Sequence, residues 1–196
     1  MKWVFLCLLG CFLLFLGMGC SSVPRVTDST STLKTIRSEM ERRPTVAPGS
    51  PLERQGIERL KSFLTRIDAE SVRTQTLGVY APDAYLNDTL VVRRGATNIQ
   101  AYFLATVDAA ESITAQIEDV SRSADGFYYM RWTMDARMKK VAAGETIRTL
   151  GITLVRFDDQ GRVLIHQDYW DSAAGLWDHV PVIGRGIRWI KGRLDH

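Results

Sequence analysis

The stretch that decides the fold is RFDDQGRVLIHQDYWD, Arg156–Asp171, near the C-terminal end of the chain. Its DDQG segment is typical of a hairpin turn, and the residues after the turn alternate as in a β-strand. On that strand one face carries His166, Asp168 and Trp170, and the other carries Val163, Ile165 and Tyr169. Such a strand can form the wall of a reactive pocket or an ordinary polar rim, and the rest of the sequence has to distinguish the two.

Upstream of this stretch, the hydrophobic pattern predicts three helices followed by long strands. Ser50, Pro51 and Glu53 are typical of a helix start with a capping box. A second helix is expected at 71–77 and a third from about Thr97, and strands are expected at 112–121, 127–139, 145–157 and 162–171. This order predicts an α+β domain with helices on one face of a curved antiparallel sheet.

The first 19 residues have the features of a signal peptide. Lys2 is followed by an apolar run from Val4 to Leu16 and then by small residues. The run is shorter than the roughly 20 residues that span a bilayer, which disfavours an uncleaved anchor. The segment GMGCSS, residues 17–22, resembles the lipobox of bacterial lipoproteins, so Cys20 is the expected lipidation site.

Cysteine usage agrees with lipidation. Cys7 and Cys11 lie in the signal peptide, so Cys20 is the one Cys expected in the mature chain and no internal disulfide is expected. Ser21 after the lipidated Cys indicates a location in the bacterial cell envelope, lipid-anchored in the outer membrane and facing the periplasm. Residues 20–49 are rich in Ser, Thr and Pro and are expected to form a flexible tether, with room for a short helix at 33–42.

Composition excludes one class of partner. The apolar content of 45% and charged content of 24% are those of an ordinary globular protein. The formal net charge of +3 is small and dispersed, so no nucleic-acid partner is expected.

Two stretches carry a family resemblance: YAPDAYLND at 80–88, and the RFD, GR and YW residues of the last hairpin. In these motifs, over about residues 52–171, the chain resembles the nuclear transport factor 2-like superfamily, in particular its SnoaL-like and ketosteroid isomerase-like branch. The resemblance implies a SnoaL-like domain at 50–173, in which a cone-shaped curved sheet and three N-terminal helices enclose an apolar pocket. It also implies a homodimer through the convex face, which holds Val163, Ile165 and Tyr169.

The resemblance assigns candidate roles residue by residue. Asp88 stands where ketosteroid isomerases have their general base. Phe63 stands at the place of the oxyanion-hole tyrosine, and Thr153 at that of the protonated acid. Phenylalanine cannot donate a hydrogen bond and threonine is a weaker donor than a carboxylic acid, so steroid isomerase chemistry is not expected.

What remains is a candidate acid–base set of Asp88, His166 and Asp168, because a His beside an Asp can transfer protons near neutral pH. The pocket around it is expected to be lined by Phe63, Tyr128, Met130, Trp132, Met134, Thr153 and Trp170. The alternative is structural: Asp88 caps a loop, His166 and Asp168 form a satisfied buried pair, and the Met and Trp side chains are core.

No metal and no cofactor are expected. The three His residues, His166, His179 and His196, do not have a metal-ligand spacing with Asp or Glu, and no Gly-rich phosphate loop is found. Arg131 and Asp135 are expected on the outward face of their strand. This weakens an analogy to epoxide hydrolases of the same fold, which need such groups inside the pocket.

The segment 174–196 is basic and amphipathic. Its helical stripe comprises Ile183, Ile187, Ile190 and Leu194, and its cations are Arg185, Arg188, Lys191 and Arg193. One interpretation is a terminal helix that packs its stripe onto the domain. The other is a C-terminal helix that lies on anionic lipid.

Three functions stay open from the sequence. The favoured one is a membrane-anchored binding or accessory module with a pocket for a hydrophobic small molecule. The second is an acid–base enzyme of isomerase, cyclase or hydratase type that acts on a hydrophobic carbonyl compound through Asp88 and His166. The third is a structural interaction module.

Overall fold

The computed structural model describes residues 29–194. The signal peptide, Cys20 and the start of the tether lie outside these residues. The chain divides into two units, residues 1–39 and 40–196. The first described element is helix α1, Ser29–Glu41, which ends just inside the second unit. The segment expected as a tether therefore contains a helix that begins four residues before the predicted one.

The second unit contains the α+β domain, which confirms the predicted fold class. Its helices are α2 (Pro51–Thr65), α3 (Ala69–Val79), α4 (Ala96–Ala109), the single-turn α5 (Ser172–Gly175) and α6 (Pro181–Leu194). Its strands are β1 (Tyr80–Asn87), β2 (Val92–Arg94), β3 (Ala110–Arg122), β4 (Tyr128–Met138), β5 (Thr146–Phe157) and β6 (Val163–Trp170). Short 3₁₀ turns lie at Ala142–Gly144 and Trp177–His179.

The helix starts follow the capping signals in the sequence. The Ser50 side chain accepts the N–H of Glu53 at 3.1 Å, as predicted for α2. The Glu53 carboxylate does not complete the predicted capping box with Ser50. It is buried, and it accepts hydrogen bonds from the N–H of Gly49 and the hydroxyl of Tyr128. A carboxylate that the sequence assigns to a cap thus ties α2 to the sheet.

The sheet has six strands in the order β2-β1-β6-β5-β4-β3. Strands β3 to β6 form the predicted antiparallel meander. The parallel pairing of β1 with β6 was not predicted, and it makes the sheet mixed and unclosed. In this pairing Leu86 lies opposite His166, so the end of β1 with Asp88 comes close to the candidate His.

The β5–β6 hairpin turn is fixed by Asp158. Its Oδ1 accepts the N–H groups of Gln160 and Arg162 at 2.9 and 2.7 Å, and Gly161 has a φ of +70°. Helix α2 packs closely on this turn, because a Cβ at Gly56 would lie 2.7 Å from the carbonyl oxygen of Gly161. Helix α2, the first helix of the domain, therefore packs against the predicted DDQG turn.

The outer face of β6 differs from the prediction of a free dimerisation surface. Val163 and Ile165 are fully buried within the single chain, and only Tyr169 of the three is exposed. The exposed apolar side chains of the outer face lie further along the sheet, on β4, β5 and the end of β6; they are Tyr129, Leu150, Ile152 and Tyr169. A homodimer stays a prediction, but Val163 and Ile165 cannot be its contact surface, because a second copy could not reach them.

The interpretation of the C-terminal helix as packed on the domain through its apolar stripe is wrong. In α6 the apolar side chains Ile183, Ile190 and Leu194 are exposed, and Gly184 is its buried residue. The glycine can approach the preceding turn more closely than any apolar side chain, so the opposite side of the helix packs against that turn. Among the residues described, no helix is long and apolar enough to cross a bilayer.

Candidate functional site

The candidate site is an apolar cavity between the inner face of the sheet and the helices. Its volume is about 230 Å³, below the 300–1,000 Å³ typical of sites for drug-sized ligands. The walls come from α4, from strands β3 to β6 and from the segment after β6, where Gly175 and Leu176 close one side. The size and lining suit a small, mostly apolar molecule.

His166 lies in the cavity wall with both ring nitrogens engaged. Its Nε2 lies 3.0 Å from Asp168 Oδ1, and its Nδ1 lies 3.0 Å from the hydroxyl of Tyr80. Because a carboxylate can only accept, Nε2–H donates to Asp168. The Tyr80 hydroxyl can donate to Nδ1 of a neutral ring. His166 is 3% exposed, so this chain of contacts is held away from bulk water.

Asp168 is also held by its neighbour on β5. The Thr153 hydroxyl donates to Asp168 Oδ1 and accepts the indole N–H of Trp132 at 2.9 Å. Asp168 Oδ2 has no hydrogen-bond partner among the described residues, and the side chain is partly exposed. This oxygen is therefore the acceptor that the site can offer to a ligand.

Asp88 closes the other side of the polar region. Its Oδ2 accepts the Tyr102 hydroxyl, and its Oδ1 accepts the N–H groups of Leu90 and Val91 at 3.0 and 2.8 Å. Its backbone carbonyl accepts the indole N–H of Trp170 at 2.7 Å, which ties β6 to the end of β1. The structural interpretation of Asp88 as a loop cap is thus observed, in a residue that also lines the cavity.

The two tyrosines of the site stay neutral at physiological pH. Burial, with the negative charge of Asp168 next, raises the pKa of Tyr80 well above its ordinary value of 10.0. Burial, followed by the hydrogen bond to Asp88, also raises the pKa of Tyr102. Both phenols therefore serve as hydrogen-bond donors to their partners.

The structure brings together most of the predicted site residues. The cavity is lined by Asp88, His166, Asp168, Trp132, Met134, Thr153 and Trp170. Three residues that were predicted to line the cavity, Phe63, Tyr128 and Met130, do not reach it. They are buried in the core instead. Phe63 is fully buried against the rings of Tyr80 and Phe103.

The other two corrections concern the start of β4. Tyr128 and Met130 lie on the same strand face as Trp132, but Tyr128 contacts Glu53 of α2 and both residues are buried in the core. The cavity begins further along β4, at Trp132. Alternation along a strand predicts which face a residue takes, and it does not predict where a helix covers that face.

Sequence reasoning missed Tyr80 and Tyr102, which hold His166 and Asp88. Tyr80 was part of the YAPDAYLND motif, so its position was available, but the parallel pairing of β1 with β6 that brings it to His166 was not. Tyr102 lies directly before Phe103, a buried residue of α4, and is itself half-buried. No pattern in the sequence links it to Asp88.

The cavity wall contains no Lys or Arg. Within residues 29–194, no group of three or more His, Cys, Asp or Glu side chains could hold a metal ion. Arg131 and Asp135 lie on the outward face as expected, where they pair with Glu118 and Arg148. The site can thus supply carboxylate acceptors, one imidazole and aromatic faces to a bound molecule.

A curved, unclosed mixed sheet with helices over an apolar cavity defines the nuclear transport factor 2-like class of α+β proteins. A family model described as the SnoaL-like domain matches residues 60–166, more than half of the chain. The chain therefore belongs to the SnoaL-like family. No curated protein sequence matches it significantly.

Solved structures agree on the fold. A nuclear transport factor 2-like protein of unknown function from an Exiguobacterium species is 13% identical, with a TM-score of 0.51, covering 59% of this chain and 98% of that one. A hypothetical protein from Catenulispora acidiphila with a ketosteroid isomerase-like fold, in complex with trimethylamine, is 15% identical, with a TM-score of 0.53 and coverages of 62% and 89%.

An epoxide hydrolase from M. tuberculosis, described as LEH-like, is 14% identical to this chain. The TM-score is 0.51, and the match covers 72% of this chain and 91% of the hydrolase. At these identities the likeness is one of fold alone. The outward position of Arg131 and Asp135 separates this site from the hydrolase arrangement that the resemblance suggested.

Proposed function

We propose that the chain is a binding module whose cavity takes a small, mostly apolar molecule with a hydrogen-bond donor or a positive charge at its polar end. The observation that carries this proposal is an apolar cavity whose titratable groups already have partners. His166 has both nitrogens engaged and Asp88 accepts three hydrogen bonds. Side chains whose hydrogen bonds are already made in this way favour binding of a ligand over transfer of a proton to it.

The ligand class follows from the polar atoms that remain. Asp168 Oδ2 is an acceptor, Asp88 adds a second negative charge, and the cavity wall has no cation. The faces of Trp132 and Trp170 can attract a positive group. A small hydrophobic amine or alcohol fits these features better than a carboxylic acid. The Catenulispora protein with the same fold is in complex with an amine, trimethylamine.

The test is to extract the purified protein with organic solvent and to identify the released small molecules by mass spectrometry. Ala115 lines the cavity, so Ala115→Leu should fill it and deplete the bound molecule at least tenfold. Ala105 is exposed on α4, so Ala105→Leu adds the same volume elsewhere and should retain the molecule. Equal amounts in both variants would show that the molecule is bound outside the cavity.

A second candidate is an acid–base enzyme acting on a hydrophobic carbonyl compound. The observation in its favour is the His166–Asp168 pair in the cavity wall, because a His beside an Asp can transfer protons near neutral pH. An enzyme of this kind would exchange an α-hydrogen of its bound compound with solvent. Incubation in D₂O followed by mass spectrometry of the released compound separates the two functions. Mass gain in the wild type, lost in Asp88→Asn, would favour the enzyme.

The cellular location is part of the proposal. The apolar run and the Cys20 motif support a lipoprotein of the bacterial cell envelope, anchored in the outer membrane and facing the periplasm. Cys20→Ala should abolish incorporation of a palmitate analogue, whereas Cys11→Ala, a change inside the signal peptide, should not. Equal labelling of both variants would refute lipidation at Cys20.

A homodimer is also proposed, through the outer-face patch defined by Tyr129, Leu150, Ile152 and Tyr169. Ile152 and Tyr169 are cross-strand neighbours, and Leu150 is 65% exposed. Large apolar side chains grouped on an open sheet face support an interface with a second copy. Leu150→Asp should shift the protein toward monomer in sedimentation experiments. A wild-type protein that stays monomeric at concentrations from about one to tens of micromolar would contradict the dimer.

A further inference from the structure

Helix α6 presents its apolar side to solvent. Val182 and Leu194 are each 77% exposed, Trp189 is 60% exposed, and Ile190 and Ile183 are about half exposed. On a helical wheel these residues fall on one broad arc, because their positions repeat at helical spacing. A contiguous exposed arc of this kind marks an interaction surface.

The opposite side of α6 packs on the short turn that precedes it, Trp177–His179. Gly184 approaches the turn before the helix so closely that a Cβ there would lie 2.2 Å from the carbonyl oxygen of Asp178. Arg188 donates to the same carbonyl, and Lys191 pairs with the Asp178 carboxylate at 2.8 Å. The helix is therefore attached through Gly184, Arg188 and Lys191, and this attachment leaves the apolar arc facing solvent.

The charge of α6 has a single sign. Arg185, Arg188, Lys191 and Arg193 are its charged residues, and the helix contains no Asp or Glu. The Arg193 guanidinium stacks over the Trp189 ring, 4.2 Å from its centroid. An apolar arc that contains a Trp with its stacked Arg193, and that has further cations beside it, matches the composition of helices that lie in a membrane interface, where Trp and Arg sit at headgroup level.

The backbone of α6 also fits a surface-bound helix. Gly184, Gly186 and Gly192 are three glycines in 14 residues, and each lowers helix stability relative to alanine. Every residue of the apolar arc stays about half exposed or more, so the domain offers little burial to offset this loss. A partner that buries the arc would supply the missing stabilisation.

We propose that α6 lies on an anionic lipid surface, with Val182, Ile183, Trp189, Ile190 and Leu194 in the boundary between headgroups and acyl chains. Charge complementarity distinguishes this occupant from a second copy of the chain. In a symmetric dimer a second copy would bring the same four cations to this surface, whereas each Lys or Arg near an anionic bilayer strengthens binding about fivefold.

The proposal places the cavity beside the bilayer. α6 is joined through the turn Trp177–His179 to Gly175 and Leu176, which line the cavity. In the same segment Gly175 packs against the Trp170 ring, where a Cβ would lie 2.5 Å from it. A helix that rests on lipid would thus hold the closing segment of the cavity at the membrane surface.

The experiment is hydrogen exchange of the full chain mixed with excess vesicles, read at the amides of residues 182–194. This local readout is independent of any binding by the N-terminal segment. Vesicles of phosphatidylcholine with about one-third phosphatidylglycerol, enough to give a strongly negative surface, should slow exchange in α6 at least tenfold. Phosphatidylcholine alone, or added salt, should remove most of this protection because the attraction is screened.

Two variants test the two parts of the surface. Arg185→Gln should weaken the protection on anionic vesicles about fivefold, as expected for one lost cation, and Ile190→Ser should weaken it further. Their controls are Arg73→Gln and Leu77→Ser on α3, which remove an exposed cation and an exposed apolar side chain elsewhere. Unchanged exchange in α6 on anionic vesicles would overturn the proposal. Protection without lipid that rises with protein concentration would overturn it in favour of a second copy.

Discussion

At the scale of single residues, the candidate site depends on the Thr153 hydroxyl. It donates to the Asp168 carboxylate and accepts the Trp132 indole N–H, and Thr153 is 1% exposed. The same carboxylate oxygen holds His166. One hydroxyl therefore fixes an aromatic wall of the cavity and the orientation of its His–Asp pair.

Thr153→Val should destabilise the fold by about 1–3 kcal/mol, because valine has the same shape but leaves the buried indole N–H of Trp132 without an acceptor. Thr153→Ser keeps the hydroxyl and should recover most of that loss. Urea denaturation of the two variants measures the difference. If the valine and serine variants were equally stable, the hydroxyl would not be holding the indole.

At the scale of elements, the contact between α2 and the β5–β6 turn sets how the first helix lies on the sheet. Gly56 and Gly161 meet backbone to backbone, with no side chain between them. The approach is possible because neither residue has a Cβ, and Gly161 also takes a positive φ in its turn.

Gly56→Ala should therefore be destabilising by about 1–3 kcal/mol, although alanine is the better helix former, because its Cβ would overlap the turn. Gly78 provides the matched control: it lies in α3, and a Cβ there meets nothing within 4 Å. Gly78→Ala should stabilise by about 0.5–1 kcal/mol. Thermal unfolding of both variants checks the sign of each change, and a stabilising Gly56→Ala would contradict the close packing.

The elements also show what the sequence could and could not provide. Local signals were sufficient for the helices and for the meander, since the Ser50 cap and the DDQG turn act within a few residues. The pairing of β1 with β6 joins residues about 80 positions apart, and no local pattern encodes it. The site depended on that pairing, so Tyr80 was missed. Alternation grouped His166 with Asp168 and Trp170, and the family resemblance was needed to predict that this face points into the cavity.

At the scale of the whole molecule, three tyrosine hydroxyls connect separate parts of the domain. Tyr128 joins the sheet to α2 through Glu53, Tyr80 joins β1 to His166 of β6, and Tyr102 joins α4 to Asp88. The hydrogen bonds of Tyr80 and Tyr128 are buried and that of Tyr102 is partly buried, and each hydroxyl acts as a donor in its neutral form. Ionisation of these phenols opposes folding as a whole, so the stability of the domain should depend on pH in the alkaline range.

The expected sign follows from the pKa of Tyr128. Burial, with the hydrogen bond to Glu53 next, raises the pKa of Tyr128 from 10.0 to about 12 in the folded chain. The unfolded chain releases this proton first, so stability is fully present below pH 10 and is lost as the pH rises toward about 12. Tyr80 and Tyr102 act in the same direction, since their pKa values are raised as well.

Tyr128→Phe should thus have two opposite effects. Near neutral pH it should destabilise by about 1 kcal/mol, because the Glu53 carboxylate loses a donor. Between neutral pH and about pH 11, its stability should fall less than that of the wild type, because one group with a raised pKa has been removed. Tyr129→Phe, which removes an exposed hydroxyl from the next position of the same strand, is the control. Urea denaturation at the two pH values gives the free energy of unfolding of each variant. If that free energy fell with pH as much in Tyr128→Phe as in the wild type, the Tyr128 proton would not be linked to folding.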